Sequence, residues 1–140
     1  MKNTYQTILN LRNVDLGLLI FRIAIASLML THGFPKLMDF FGSDEIKFGD
    51  PIGLGEQLSF SLAVFAEFVC ALFILFGFLT RFAAIPIIIT MAVAALIVHM
   101  PDGFGRQELP LLYMFGFILL AFTGAGKYSV DYLLQNKKKL

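Results

Sequence analysis

Apolar residues fall along this chain in four long runs, residues 16–31, 58–79, 82–98 and 109–123, separated by short polar turns. None alternates with the two-residue period of a half-buried strand. Each is also oily on all sides, unlike a surface helix with one apolar stripe. A hydrocarbon slab about 30 Å thick takes about 20 apolar residues of helix to cross. A lipid-exposed sheet edge at that depth would leave backbone N–H and C=O groups unsatisfied. The pattern therefore predicts an all-α integral membrane protein. It is one domain over 1–140, an up-down-up-down four-helix bundle with spans at about 16–34, 58–79, 82–100 and 107–123.

The breaks between the runs carry the turn chemistry. Pro35 follows the first run and marks its expected end. Residues 35–57 form the one long connection, an outer loop. Gly42, Gly49, Pro51, Gly53 and Gly55 argue against regular structure there beyond a short capping helix. Around Thr80-Arg81 only a few residues join two runs, so those helices are expected to be antiparallel neighbours. Pro86 suits the start of the third span, where its missing N–H is tolerated. Residues 101–106 read as a turn, and Pro110 suits the first turn of the fourth span. Residues 1–14 mix Ile8, Leu9 and Leu11 with Asn and Arg, as in a short helix lying at the inner interface.

Charge sets the orientation. Lys and Arg collect on the cytoplasmic side of short loops. Lys2, Arg12, Arg81, Lys127 and Lys137-Lys138-Lys139 sit in the tails and the second turn. The other two loops hold Lys36, Lys47 and Arg106 among Asp39, Asp44, Glu45, Asp50, Glu56, Asp102 and Glu108. Both termini are therefore expected inside, with the lysine tail on anionic lipid.

Composition adds limits. Apolar residues make up 58% of the 140, so the bilayer itself is the first partner. No soluble basic surface is left for a nucleic acid. Sixteen Phe and no Trp is unusual for a membrane chain, and Tyr113, Tyr128 and Tyr132 near span ends read as interfacial anchors. The single cysteine, Cys70, excludes an intrachain disulfide and a thiol–disulfide relay. The first span shows no clear cleavage site of the kind that follows a signal peptide.

Few polar groups remain for chemistry. Arg22 lies about two turns into the first span, where a charge costs about 2.5 kcal/mol or more. It either snorkels to the inner interface or turns inward to an acid. Glu67, near the middle of the second span, is the candidate acid. At 1.5 Å per residue the two lie roughly 9 and 18 Å from the inner edge, a gap that an extended arginine nearly covers. The expectation is an Arg22–Glu67 pair, serving either as a packing latch or as a ligand or proton site. His32 and His99 fall at one depth above it, at the outer ends of spans one and three. Imidazole there can move a proton, hold a carbonyl or bind a metal, or simply bond loop carbonyls. Two histidines do not specify a metal site, and a bis-histidine haem ranks well behind the other readings. Lys36 and Glu108 flank the same outer rim, where such residues are more often solvated.

Taken in order, these residues resemble the DoxX family of small four-span membrane proteins. The matching pieces are Arg22, His32-Gly33 with Lys36, Glu67, the turn Gly77-Phe78-Leu79-Thr80-Arg81, His99, Gly103, Glu108, and Gly124-Ala125-Gly126-Lys127 with Ser129 and Asp131. The likeness covers about 14–132. The family commonly has small residues after the second-span Glu, where this chain has Phe68, Val69 and Cys70. That departure weakens the expectation of close helix approach there.

The resemblance implies links to quinone-coupled oxidation and to membrane oxidoreductase assemblies. The first reading is thus a quinone-linked oxidoreductase component. Glu67, His32 and His99 would act on the reaction, and Arg22, Glu67, His32, His99 and Glu108 would line the ligand site, with no metal. A homo-oligomer or membrane complex is expected, because the sequence carries no GxGxxG and no cluster-binding cysteines. The alternatives are a non-catalytic assembly or binding subunit and a small oligomeric transporter.

Overall fold

The computed structural model describes residues 10–42 and 48–137. Among them the chain is helical throughout, with no strand. Four long helices follow in order: α1 (Leu11–Gly42), α2 (Glu56–Phe76), α3 (Thr80–Val98) and α4 (Phe104–Thr123). A short α5 (Val130–Lys137), absent from the sequence expectation, closes the described chain. The helices α1, α2 and α3 are each long and apolar enough to cross a membrane. Arg106 and Glu108 in the early turns of α4 leave it a shorter apolar stretch. Most of the expected interfacial helix at 1–14 lies outside the described residues, and residues 11–14 simply begin α1.

Pro35 does not end the first helix. The helix α1 runs through it for seven more residues, to Gly42. A proline inside a helix removes one N–H and crowds the carbonyl four residues back. Membrane helices tolerate this because neighbours and Ser/Thr hydroxyls re-satisfy freed groups. Beyond it, residues 48–55 form an irregular turn. Pro110 likewise lies in the second turn of α4, because that helix starts at Phe104.

Packing follows seams of small and apolar residues. The helix α1 packs mainly on α2 and α3 mainly on α4, α2 also meets α3, and α1 touches α4. Ala26, Met29, Ala71, Ile74, Ala84, Ile87, Phe117 and Leu120 are fully enclosed at the centre. Small residues suit such contacts, since helices in lipid associate by close packing and not by escape from water. One face of α4 buries Pro110, Tyr113, Phe117 and Leu120. Leu112, Phe115, Leu119 and Phe122 on its other face stay exposed, as lipid contact requires.

Two helices approach closely at Gly33. A Cβ there would run into the backbone carbonyl of Glu67. The bulky Phe68 and Val69 therefore do not hold α1 away, because the glycine that permits contact is on the facing helix.

Two π-helical segments interrupt the regular winding, Phe65–Cys70 in α2 and Ala94–Val98 at the end of α3. Such turns are rare and frequent at functional sites. The first contains Glu67. The second ends with the His99 N–H donating to the Ala94 carbonyl at 2.9 Å, five residues back.

Candidate functional site

The expected ion pair between Arg22 and Glu67 does not form. Arg22 is 2% exposed and reaches toward the C-terminal segment. Its Nη1 donates to the Ala125 carbonyl at 2.7 Å and its Nη2 to the Tyr128 carbonyl at 2.9 Å. The physical reason is reach. Carbonyls of the glycine-rich turn after α4 come within range of a guanidinium about three turns into α1, and Glu67 lies deeper.

That turn belongs to a clasp. The helix α2 ends with Gly77 in the left-handed conformation (φ 70°). The Phe78 N–H bonds the Phe73 carbonyl and the Gly77 N–H bonds the Ile74 carbonyl, a Schellman closure. Leu79 follows at φ 47°, unusual for a side-chain-bearing residue. Asp131 at the start of α5 holds it there, accepting from the Leu79 N–H at 2.7 Å and the Thr80 N–H at 3.0 Å. Asp15 accepts from the Lys127 N–H at 3.0 Å. The Gly77–Arg81 turn and the S-x-D piece of the resemblance are thus fastened to one another.

Glu67 finds Lys36. The ammonium lies 2.5 and 2.6 Å from the two carboxylate oxygens. The Glu67 side chain is 3% exposed and the Lys36 side chain 31%. Lys36 was expected to be solvated at the rim. Because α1 continues past Pro35, Lys36 stays on the seam that carries Arg22, Ile25, Met29 and His32 at steps of three and four. Reading Pro35 as the helix end hid it, and the continuing seam was the signal that could have found it.

Around the pair lies a cavity of about 350 Å³. His32 and Lys36 line it from α1, Glu67 from α2, His99 from the end of α3, and Arg106 and Tyr113 from α4. His32 stands edge-on to the Tyr113 ring, centroids 5.7 Å apart. Tyr113 is only 7% exposed, so it is a wall of the cavity and not an interfacial anchor. The His99 Nδ1 lies 3.0 Å from an Asp102 carboxylate oxygen. With the proton on that side, Nε2 is left as the acceptor.

Of the expected site residues, the cavity therefore brings together His32, Glu67 and His99. Arg22 belongs to the clasp at the other end, and Glu108 is exposed and lines none of the cavities described here. Lys36, Arg106 and Tyr113 join them. Among the described residues no three of His, Cys, Asp and Glu sit together as a metal cage would need.

A second space adjoins the first. It is a mostly apolar cleft of about 470 Å³ between α2 and α3, roofed by Phe48, Pro51 and Ile52. Lys36, Glu67, Ala94 and His99 border both spaces.

The family model described as DoxX matches residues 17–100, from α1 to just past α3. The chain belongs to the DoxX family. It is similar to the inner membrane protein YqjF of Escherichia coli K12, 33% identical over 129 residues that cover 88% of this chain and 95% of that protein. It is also similar to the inner membrane protein YphA of the same organism, 34% identical over 138 residues, 86% of this chain and 96% of that one. An uncharacterized protein of Haemophilus influenzae is 29% identical over 126 residues, 85% of this chain and 83% of its own. No solved structure matches. Together with its apolar helices, these relatives make this DoxX-family chain a multi-pass protein of the bacterial inner membrane.

Proposed function

We propose that this chain is a component of a quinone-linked oxidoreductase of the inner membrane, with the quinone head held in the cavity around Lys36 and Glu67. The observation that carries this reading is the placing of that ion pair. It sits where a cavity lined by two histidines and a tyrosine meets a more apolar cleft.

The residues fit such a head. A quinone ring presents two carbonyl acceptors and no donor. Lys36, His32 and Tyr113 offer donors from two different helices, and about 350 Å³ lies within the range of small-molecule pockets. When bound, a quinone accepts two electrons and two protons. His99, whose Nδ1 faces Asp102, presents its Nε2 as a proton acceptor. Glu67 fixes the ammonium that faces the head.

The reading takes the four long helices as up-down-up-down, with both termini cytoplasmic. The short connections at 77–79 and 99–103 and the cluster of Arg81 and Lys127 at the clasp end support it. The cavity then opens on the outer half of the membrane. Electrons would come from a partner that carries a redox group, so a larger membrane complex follows.

The test is extraction of quinone from purified protein, followed by equilibrium binding of decylubiquinone in phosphatidylcholine vesicles. Wild type is expected to carry and bind quinone, with Tyr113→Phe and His32→Ala at least tenfold weaker. Equal binding by wild type and both variants, or none by wild type, overturns the proposal.

A further inference from the structure

The apolar cleft beside the ion pair has walls and a roof of its own. Leu62 and Phe65 come from α2, Ile89 and Val93 from α3. Phe48 of the roof packs on Phe60, ring centroids 5.0 Å apart. The hydroxyls that border the cleft are already engaged. The Thr90 hydroxyl donates to the Pro86 carbonyl at 2.9 Å, and the Ser59 hydroxyl to Asp50 at 2.8 Å. The cleft therefore asks nothing polar of an occupant, and a second head group would be left unpaired in it. One end differs, because there it meets Lys36, Glu67 and His99, which also border the first cavity. Ala94, the small residue at the same border, leaves room beside them.

We infer that the two spaces form one site for a single-chain amphiphile, whose head lies among His32, Lys36 and Tyr113 and whose hydrocarbon chain passes Ala94 into the cleft between α2 and α3. This rests on the reading of the histidine-lined cavity as a head-group site and adds the class of molecule: one head and one chain. A diacyl lipid has a second chain for which the site provides no second cleft. Lipid already solvates a hydrocarbon chain, so no gain from leaving water is available. What the cleft supplies is close dispersion contact and a fixed direction of approach. Chain length should therefore change affinity by a few-fold, with affinity expressed as mole fraction in the bilayer.

The chain contains no tryptophan, so one introduced tryptophan is a unique reporter. Phe65→Trp places it in the cleft, and Leu62→Trp is a second cleft reporter should the first fail to fold. Phe115→Trp, on the lipid face of α4, is the control. The probe is a decylbenzoquinone carrying bromine at the chain end, compared with the unbrominated compound in phosphatidylcholine vesicles. Bromine quenches tryptophan only near contact, so the difference between the two probes reports the chain alone. Saturable, bromine-dependent quenching at least threefold greater in the cleft than at the control is expected. Equal quenching at both positions overturns the chain assignment. Equilibrium dialysis with a chainless benzoquinone separates the two failures. If it binds while cleft quenching matches the control, only the chain assignment falls. If neither compound binds, the head-group reading and this inference fall together.

Discussion

The ammonium of Lys36 and the carboxylate of Glu67 form a two-oxygen ion pair, 2.5 and 2.6 Å, at the boundary between the histidine-lined cavity and an apolar cleft. Breaking a buried pair from one side strands the other charge, at a cost of roughly 3–5 kcal/mol when both are fully buried. The two sides are unequal here, because Glu67 is the more enclosed partner. Lys36→Met should therefore destabilise more than Glu67→Gln, which leaves a lysine able to swing toward the rim. The double variant should recover part of the loss. Unfolding in detergent on all four members of the cycle checks this, and strict additivity would show that the pair carries no coupling.

Arg22 should matter at the other end of the molecule. Its guanidinium fork spans two carbonyls, which a single ammonium cannot do. Arg22→Lys is expected to cost about 2 kcal/mol, the scale of one hydrogen bond to a charged group. It should also loosen the clasp locally. Trypsin cleavage after Lys127, timed in wild type and variant, reads that opening, and unchanged cleavage would contradict the clasp.

Gly33→Ala should destabilise by about 1–3 kcal/mol, the usual cost of overpacking. The added methyl meets the Glu67 backbone and not a flexible side chain, so α1 and α2 must separate. Gly17→Ala is the control, because nothing lies near its Cβ position. The paired thermal midpoints decide it.

Asp50 predicts an acid limb in stability. The Ser59 hydroxyl first, then the Gly55 N–H, hold its carboxyl below the ordinary 3.8, outweighing a small opposing effect of burial. A carboxyl lowered in the folded state contributes stability above its unfolded value and loses it as pH falls through the folded one. That contribution should be intact at pH 5 and fade below pH about 4. Asp50→Asn removes the contribution and Ser59→Ala shrinks it. Midpoints measured from pH 5 to pH 2.5 follow the effect.

The hydropathy pattern alone determined that this chain is helical and lives in a bilayer, because long uniform apolar runs have no other stable home. It also singled out the buried polar residues, since each is conspicuous in oil. It could not decide their pairing. Arg22 and Glu67 are the two most conspicuous charges, yet each is bound elsewhere. Partner choice depends on helix rotation and on where carbonyls of a distant turn arrive, and neither has a periodic signature. Pro35 shows the same limit, since a local helix-stopper was overruled by packing, which kept Lys36 on the inward seam. The joining of His32, Glu67, His99 and Tyr113 around one cavity arises only in three dimensions. Four helices contribute those side chains, and two local rewindings of the backbone set how α2 and α3 present theirs.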